Sequence, residues 1–194
     1  MGNEQSVVRR ELKIHIRGVE PYQFQYFLLS GNFHRNILRA QREPHLLGRS
    51  RAENELQMSE IEFRKLSDAE VHSVFQGRTY TTDLVLRDTE EVDSSCSYRV
   101  LQIQQNKSVA FIIWNCREDS IFPNEKLSFD IESVSAEGIT VLMTMEVDPR
   151  PPTYVEYMLQ FFTSPEEYVE NRILTHSLAV RMHQFGRESS LGGG

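Results

Sequence analysis

Gly2 and Ser6 are the residues whose types and spacing speak most directly to chemistry. A glycine freed by removal of Met1, a thin polar segment (Asn3-Glu4-Gln5) and a small hydroxyl residue at the sixth position form the pattern read by N-myristoyl transfer. The expected product is an amide between the Gly2 amine and an acyl chain. One such chain holds a protein to a bilayer only marginally, so stable tethering calls for a second signal. No cysteine lies near Gly2 to carry palmitate, which leaves charge. Residues 1–51 hold nine Lys/Arg against four acids, a net of +5, whereas the whole chain is at −7. Arg9, Arg10, Arg35, Arg39, Arg42, Arg49 and Arg51 are therefore the candidate membrane contacts, each adding about 1 kcal/mol near an anionic leaflet.

The same arginines do not point to nucleic acid. The acidic total, a pI near 5.4 and the lack of aromatic interleaving among these arginines argue against it. The sequence carries no P-loop, no dinucleotide-binding glycine pattern, no nucleophile elbow and no H-E-x-x-H. The six histidines (His15, His34, His45, His72, His176, His183) are scattered, none at zinc-ligand spacing from another His or Cys. His176 and His183 read as solvated positions about two turns apart on one helix. Cys96 and Cys116 read as small, reduced core residues, because two cysteines without a secretory signal suit a reducing compartment. No catalytic residue, metal or cofactor is expected, and the chain is read as a non-enzyme.

The elements that must position these residues can be read from periodicity. Leu12, Ile14 and Ile16 alternate with Lys13, His15 and Arg17 as in a half-buried strand. Pro21 starts a short apolar helix through Leu29, and Gly31-Asn32 breaks it. A second helix from Phe33 to about Arg42 turns Phe33, Ile37 and Leu38 inward and Arg35, Arg39 and Arg42 outward. Residues 44–56 read as a loop. From about Gln57 the pattern becomes strand-like: Ile61, Phe63 and Leu66 alternate loosely, and Asp68 caps a short turn through Val71. Val74–Leu86, Ser97–Gln104, Ser108–Cys116, Lys126–Ser133 and Gly138–Val147 follow as strands joined by short polar links. Thr153-x-x-Glu156 reads as a capping box that opens a helix through Phe162, with a final strand as the alternative because the stretch also alternates. Ser164-Pro165-Glu166-Glu167 opens a long helix to Phe185, with Val169, Ile173, Leu174, Leu178, Met182 and Phe185 as its apolar stripe. No run approaches the 18 or so apolar residues of a membrane span. The expected organisation is an acylated arm (1–8), one α+β domain (9–186) and a disordered tail (187–194).

The order of strand, two short helices, an antiparallel sheet of about six strands and a long C-terminal helix packed on it resembles the helix-grip fold of the START-like superfamily. The segments that carry the likeness are Leu12–Leu38, the meander and Ser164–Gly186, the first being similar to sterol-carrying VASt-type members. The resemblance implies a hydrophobic cavity between sheet and helix that holds a sterol, phospholipid or acyl chain. Phe27, Trp114, Leu178 and Met182 are the residues expected to line it. The functional expectation is a membrane-tethered lipid-binding or lipid-sensing module on the cytoplasmic face of a membrane. Its alternative is a myristoylated adaptor that binds a protein partner. A membrane surface, a lipid ligand and a protein are the expected partners, and nucleic acid is not.

Overall fold

β1 (Val8–Arg17) begins the fold as its alternation requires, with Ile14 buried and Lys13, His15 and Arg17 exposed. The computed structural model describes residues 7–40, 46–52, 58–114, 125–148 and 164–186. Gly18 ends β1, and α1 (Pro21–Leu29) follows with proline in its first turn. There the missing N–H of proline costs nothing. The Gln23 side chain closes the turn by accepting from the Glu20 backbone N–H at 2.9 Å. α2 (Asn32–Ala40) then packs its Phe33, Ile37 and Leu38 face inward.

Two expectations fail between residues 46 and 75. The stretch read as a loop contains β2 (Leu46–Ala52), which pairs with β3 (Thr79–Leu86) from Leu46↔Leu86 to Ala52↔Tyr80. The loose strand read at Ile61–Leu66 is α3 (Glu60–Arg64), while the short turn read through Val71 and the strand start read at Val74 belong to α4 (Asp68–Phe75). Their cause is in the sequence. Ser59 and Glu62 form one capping box, Ser67 and Glu70 another. Each serine hydroxyl accepts from the glutamate N–H at 3.2 Å, while each glutamate accepts from the serine N–H. That reciprocal satisfaction of orphan donors outweighs a weak alternation.

β4 (Val92–Gln104), β5 (Ser108–Trp114), β6 (Glu125–Ser135) and β7 (Gly138–Val147) complete an antiparallel sheet of order β1-β7-β6-β5-β4-β3-β2. The sheet has seven strands where about six were expected; β2 lies in the stretch read as a loop. Register irregularities at Leu84/Val85, Val100/Gln102 and Ile131/Ser133 add local twist and help curl it. β1 reaches its place beside β7 through a very close approach. Gly138 has φ +148°, and a Cβ there would sit 2.0 Å from the Ile16 carbonyl oxygen.

α5 (Pro165–Arg181) lies across the sheet against β1, β7 and α2. Phe24, Phe27, Phe33, Phe111 and Phe129 fill the space beneath, all essentially solvent-free. Their rings meet edge-on or tilted at 5.3–6.4 Å. The architecture is α+β, with a long helix held by a curled antiparallel sheet. Thr153–Phe162 lies outside the described residues, as do the first six residues and the tail from 187.

Cys96 is disulfide-bonded, against the expectation of two reduced thiols. The β4–β5 hairpin explains why a separation of twenty residues is no obstacle. Ser97 pairs with Trp114 in that hairpin. Cys116 itself lies outside the described residues.

Candidate functional site

The inner face of α5 is where the structure departs most from the sequence reading. Buried on it are Tyr168, Val169, Arg172, Ile173, His176, Ser177, Ala179 and Val180. Leu174 and Leu178 are 50% and 47% exposed. The apolar stripe through 174, 178 and 182 is thus rotated away from the true contact face, which takes in an arginine and a histidine. Leu178 does not face the sheet. The physical reason is compensation. A buried arginine is stable only when its charge and donors are matched, and the match comes from a distant strand that no helical pattern reveals.

That match is Glu125, 1% exposed at the start of β6. Its Oε2 accepts from Arg172 Nε at 3.1 Å, and its Oε1 accepts from the Tyr168 hydroxyl. Burial works against the Arg172 charge. The carboxylate of Glu125, with the hydroxyls of Tyr98 and Tyr168, more than offsets it and holds the guanidinium above its usual pKa. Nη2 of Arg172 is buried with no hydrogen-bond partner among the described residues.

One turn further, His176 is fully buried. Its Nδ1 lies 2.6 Å from the Arg172 carbonyl, and its Nε2 lies 3.0 Å from the Tyr98 hydroxyl. A carbonyl can only accept, so Nδ1 carries the proton and Tyr98 donates to Nε2. Burial, reinforced by the Arg172 charge, lowers the His176 pKa to about 3, so the ring is neutral. α2 adds the other half of the cluster. Asn36 Nδ2 donates to the Ala179 carbonyl at 3.1 Å, which clamps α2 to α5. Two residues earlier, His34 is fully buried and stacks on Tyr80 at 4.2 Å and 13°. It meets the edge of Tyr98 at 5.0 Å.

Neither ring nitrogen of His34 has a hydrogen-bond partner among the described residues. Burial, then the neighbouring His176 and Arg35, lowers its pKa to about 3. The Tyr80 hydroxyl donates to the Leu29 carbonyl, and burial raises its pKa despite nearby Arg78. The result is a solvent-free polar line through an apolar core: Tyr168, Glu125, Arg172, His176, Tyr98, then His34 on Tyr80. Chemically it offers one balanced ion pair, two neutral imidazoles, and unmet donors and acceptors at Arg172 and His34.

The other candidate residues are spread more widely. Phe27 is buried and stacks on His183 at 4.3 Å, with Phe33 and Phe185 edge-on. Trp114 is half-buried at the end of β5, with the Arg99 guanidinium 4.7 Å from its ring centre. Met182 is half-buried at the C-cap of α5. Arg9 is exposed beside Glu11 (2.7 Å) and Glu146 (3.4 Å), and Arg10 reaches Glu170 at 3.5 Å. Arg35 and Arg39 are exposed on α2. Arg49 and Arg51 fall on β2, the edge strand opposite β1. The arginines of β1 and β2 therefore sit at the two ends of the sheet's strand order, and those of β1 already have acidic partners. Gly2 and Arg42 lie outside the described residues. None of the described helices is long and apolar enough to cross a membrane.

No family model matches the sequence, and no curated protein matches it. Among solved structures the chain is similar to the di-domain ARO/CYC StfQ from the steffimycin biosynthetic pathway, with a TM-score of 0.54 at 10% identity. That match covers 96% of this chain and 52% of StfQ. It is similar also to a Staphylococcus aureus protein of unknown function (TM-score 0.52, 12% identity, 91% and 90% of the two chains). A third is ginseng major latex-like protein 151 from Panax ginseng (TM-score 0.50, 10% identity, 90% and 95%). At such identities the likeness defines the fold alone, an α+β helix-grip-like fold.

Proposed function

We propose that this protein is a non-enzymatic helix-grip module that binds a hydrophobic ligand between α5 and the sheet, tethered to a membrane through an acyl chain on Gly2. One observation carries the ligand reading. The core between the two helices and the sheet bears polar groups with no hydrogen-bond partner among the described residues, Arg172 Nη2 on α5 and the His34 ring on α2. A core built only for stability would place apolar residues there, because a buried unsatisfied polar atom costs about 1–3 kcal/mol. A few oriented polar groups in an apolar enclosure are what a small-molecule site requires. A sterol, the ligand implied by the VASt-type likeness of Leu12–Leu38, is one such molecule; a phospholipid or acyl chain is another.

The tether rests on Gly2 and Ser6. The exposed arginines of α2, Arg35 and Arg39, are better placed to add charge attraction than Arg9 and Arg10, whose partners are acidic. Localisation at the cytoplasmic face of a membrane follows from that anchor. The adaptor reading has its own observation: Leu174 and Leu178, one turn apart and about half exposed on the outer face of α5.

Native mass spectrometry of the full chain purified without detergent tests the ligand reading. A co-purified species of discrete mass supports it, and a ligand-free spectrum unchanged by added lipid contradicts it. Labelling cells with a clickable myristate, with Gly2→Ala as control, tests the tether; wild-type protein without label rules the anchor out.

A further inference from the structure

The polar line that suggests a ligand also constrains its charge, an inference that rests on the ligand-binding reading above. Among the described residues, the formal charges buried along it are one guanidinium, Arg172, and one carboxylate, Glu125, in direct contact at 3.1 Å. Both histidines on the line are neutral, His176 because its Nδ1–H is committed to a carbonyl and its Nε2 accepts from Tyr98. The remaining members are tyrosine hydroxyls, of which Tyr168 already donates to Glu125 and Tyr80 to the Leu29 carbonyl. The buried set is thus electrically balanced before any ligand enters.

An additional anion beside this line would leave one charge uncompensated in a low-dielectric interior. That is the most unfavourable arrangement a buried site can adopt. Among the described residues, what the line lacks is not charge but hydrogen-bond partners: an acceptor for Arg172 Nη2, and both a donor and an acceptor for His34. We propose that the site between α5 and the sheet selects an uncharged apolar molecule carrying a carbonyl or hydroxyl oxygen, with that oxygen accepting from Arg172 Nη2, and discriminates against free carboxylates and other anionic lipids.

Titration calorimetry with two chain-matched probes at pH 7.5 tests this: 2-undecanone, uncharged with one carbonyl, and undecanoate, its carboxylate counterpart. The wild-type protein should bind the ketone at least tenfold more tightly. Glu125→Gln removes the compensating negative charge and should reverse the order in favour of undecanoate. Should that variant not fold, the double variant Glu125→Leu with Arg172→Met removes both charges and keeps the test open. It should lose about tenfold in ketone affinity, the scale of one charge-assisted hydrogen bond (about 1.4 kcal/mol). Undecanoate binding the wild type as tightly as the ketone, or more so, overturns the inference while leaving ligand binding intact. Binding of neither probe at millimolar concentration counts against the ligand-binding reading itself.

Discussion

Tyr98 donates its phenolic proton to His176 Nε2 across 3.0 Å, and that bond ties β4 to α5 in the middle of the core. The other ring nitrogen is spent on the Arg172 carbonyl at 2.6 Å, so the imidazole is held in one tautomer from both sides. His34 packs α2 against Tyr80 and Tyr98, so α5 and α2 each meet the sheet through a neutral histidine as well as through the phenylalanine cluster. Several consequences can be measured.

Acid should unfold this protein earlier than its carboxylates alone would. His34 and His176 have pKa values of about 3 in the folded chain against 6.5 when unperturbed, burial being the main cause. Below pH 6.5 the unfolded chain therefore binds more protons, and stability falls as the pH drops from 6.5 towards 3. At pH 5 each histidine removes roughly 2 kcal/mol. Thermal melts between pH 7.5 and 5 should show the fall, and His34→Phe should flatten it. Equal pH slopes for wild type and variant would show that His34 is not buried neutral.

His34→Phe should also raise the melting temperature at pH 7.5. It removes two unsatisfied ring nitrogens, worth about 1–3 kcal/mol, and keeps the ring against Tyr80 and Phe111. The same variant should bind ligand more weakly, so stability and function move in opposite directions. Urea denaturation beside a binding assay separates them.

The Glu125–Arg172 pair should be non-additive. Losing one partner strands a buried charge and costs about 3–5 kcal/mol, whereas replacing both with apolar residues of similar size costs far less. A double-mutant cycle of Glu125→Leu and Arg172→Met should show the double variant more stable than either single one. Additive losses would mean that the two groups do not compensate each other.

Gly138→Ala should cost at least about 3 kcal/mol, because the new methyl has nowhere to go: the obstacle is the Ile16 backbone, not a movable side chain. Gly77→Ala is the control. It shares a positive φ, of +77°, but has nothing within 4 Å of its Cβ position, so only the backbone term of about 1–2 kcal/mol applies. Chemical denaturation of the two variants side by side distinguishes clash from strain.

Much of the fold was legible in the sequence, and the misses share a cause. β1 and β7 were found because alternation or a continuous apolar run marks them, and Gly138–Val147 matches to the residue. α5 was found from Ser164-Pro165-Glu166-Glu167, although the Ser164 hydroxyl bonds the Glu166 carboxylate rather than capping the backbone. α3 and α4 were missed although Ser59/Glu62 and Ser67/Glu70 announce them; a capping box outranks three loosely spaced apolar residues. The candidate site was almost wholly hidden. Arg172, His176, His34 and Glu125 look like surface residues in any local window. They become interior only because elements 47 residues apart, in the case of Glu125 and Arg172, meet across the core.

The Cys96 disulfide bears on where the protein resides. A denatured, unreduced sample should titrate no free thiol. Two free thiols in protein taken from cells under alkylating conditions would instead restore the reduced, cytoplasmic picture that the Gly2 signal favours.

The central claim is that an uncharged apolar ligand binds between α5 and the sheet and engages the polar line there. Ring 1H–15N NMR of His34 and His176 in the full chain, recorded while 2-undecanone is added at pH 7.5, tests it most directly. The account predicts neutral imidazole shifts before addition and saturable changes on the His34 ring, with His176 kept as its Nδ1–H tautomer. Ketone binding that leaves the ring signals of both histidines unmoved, or no binding at all, would contradict it.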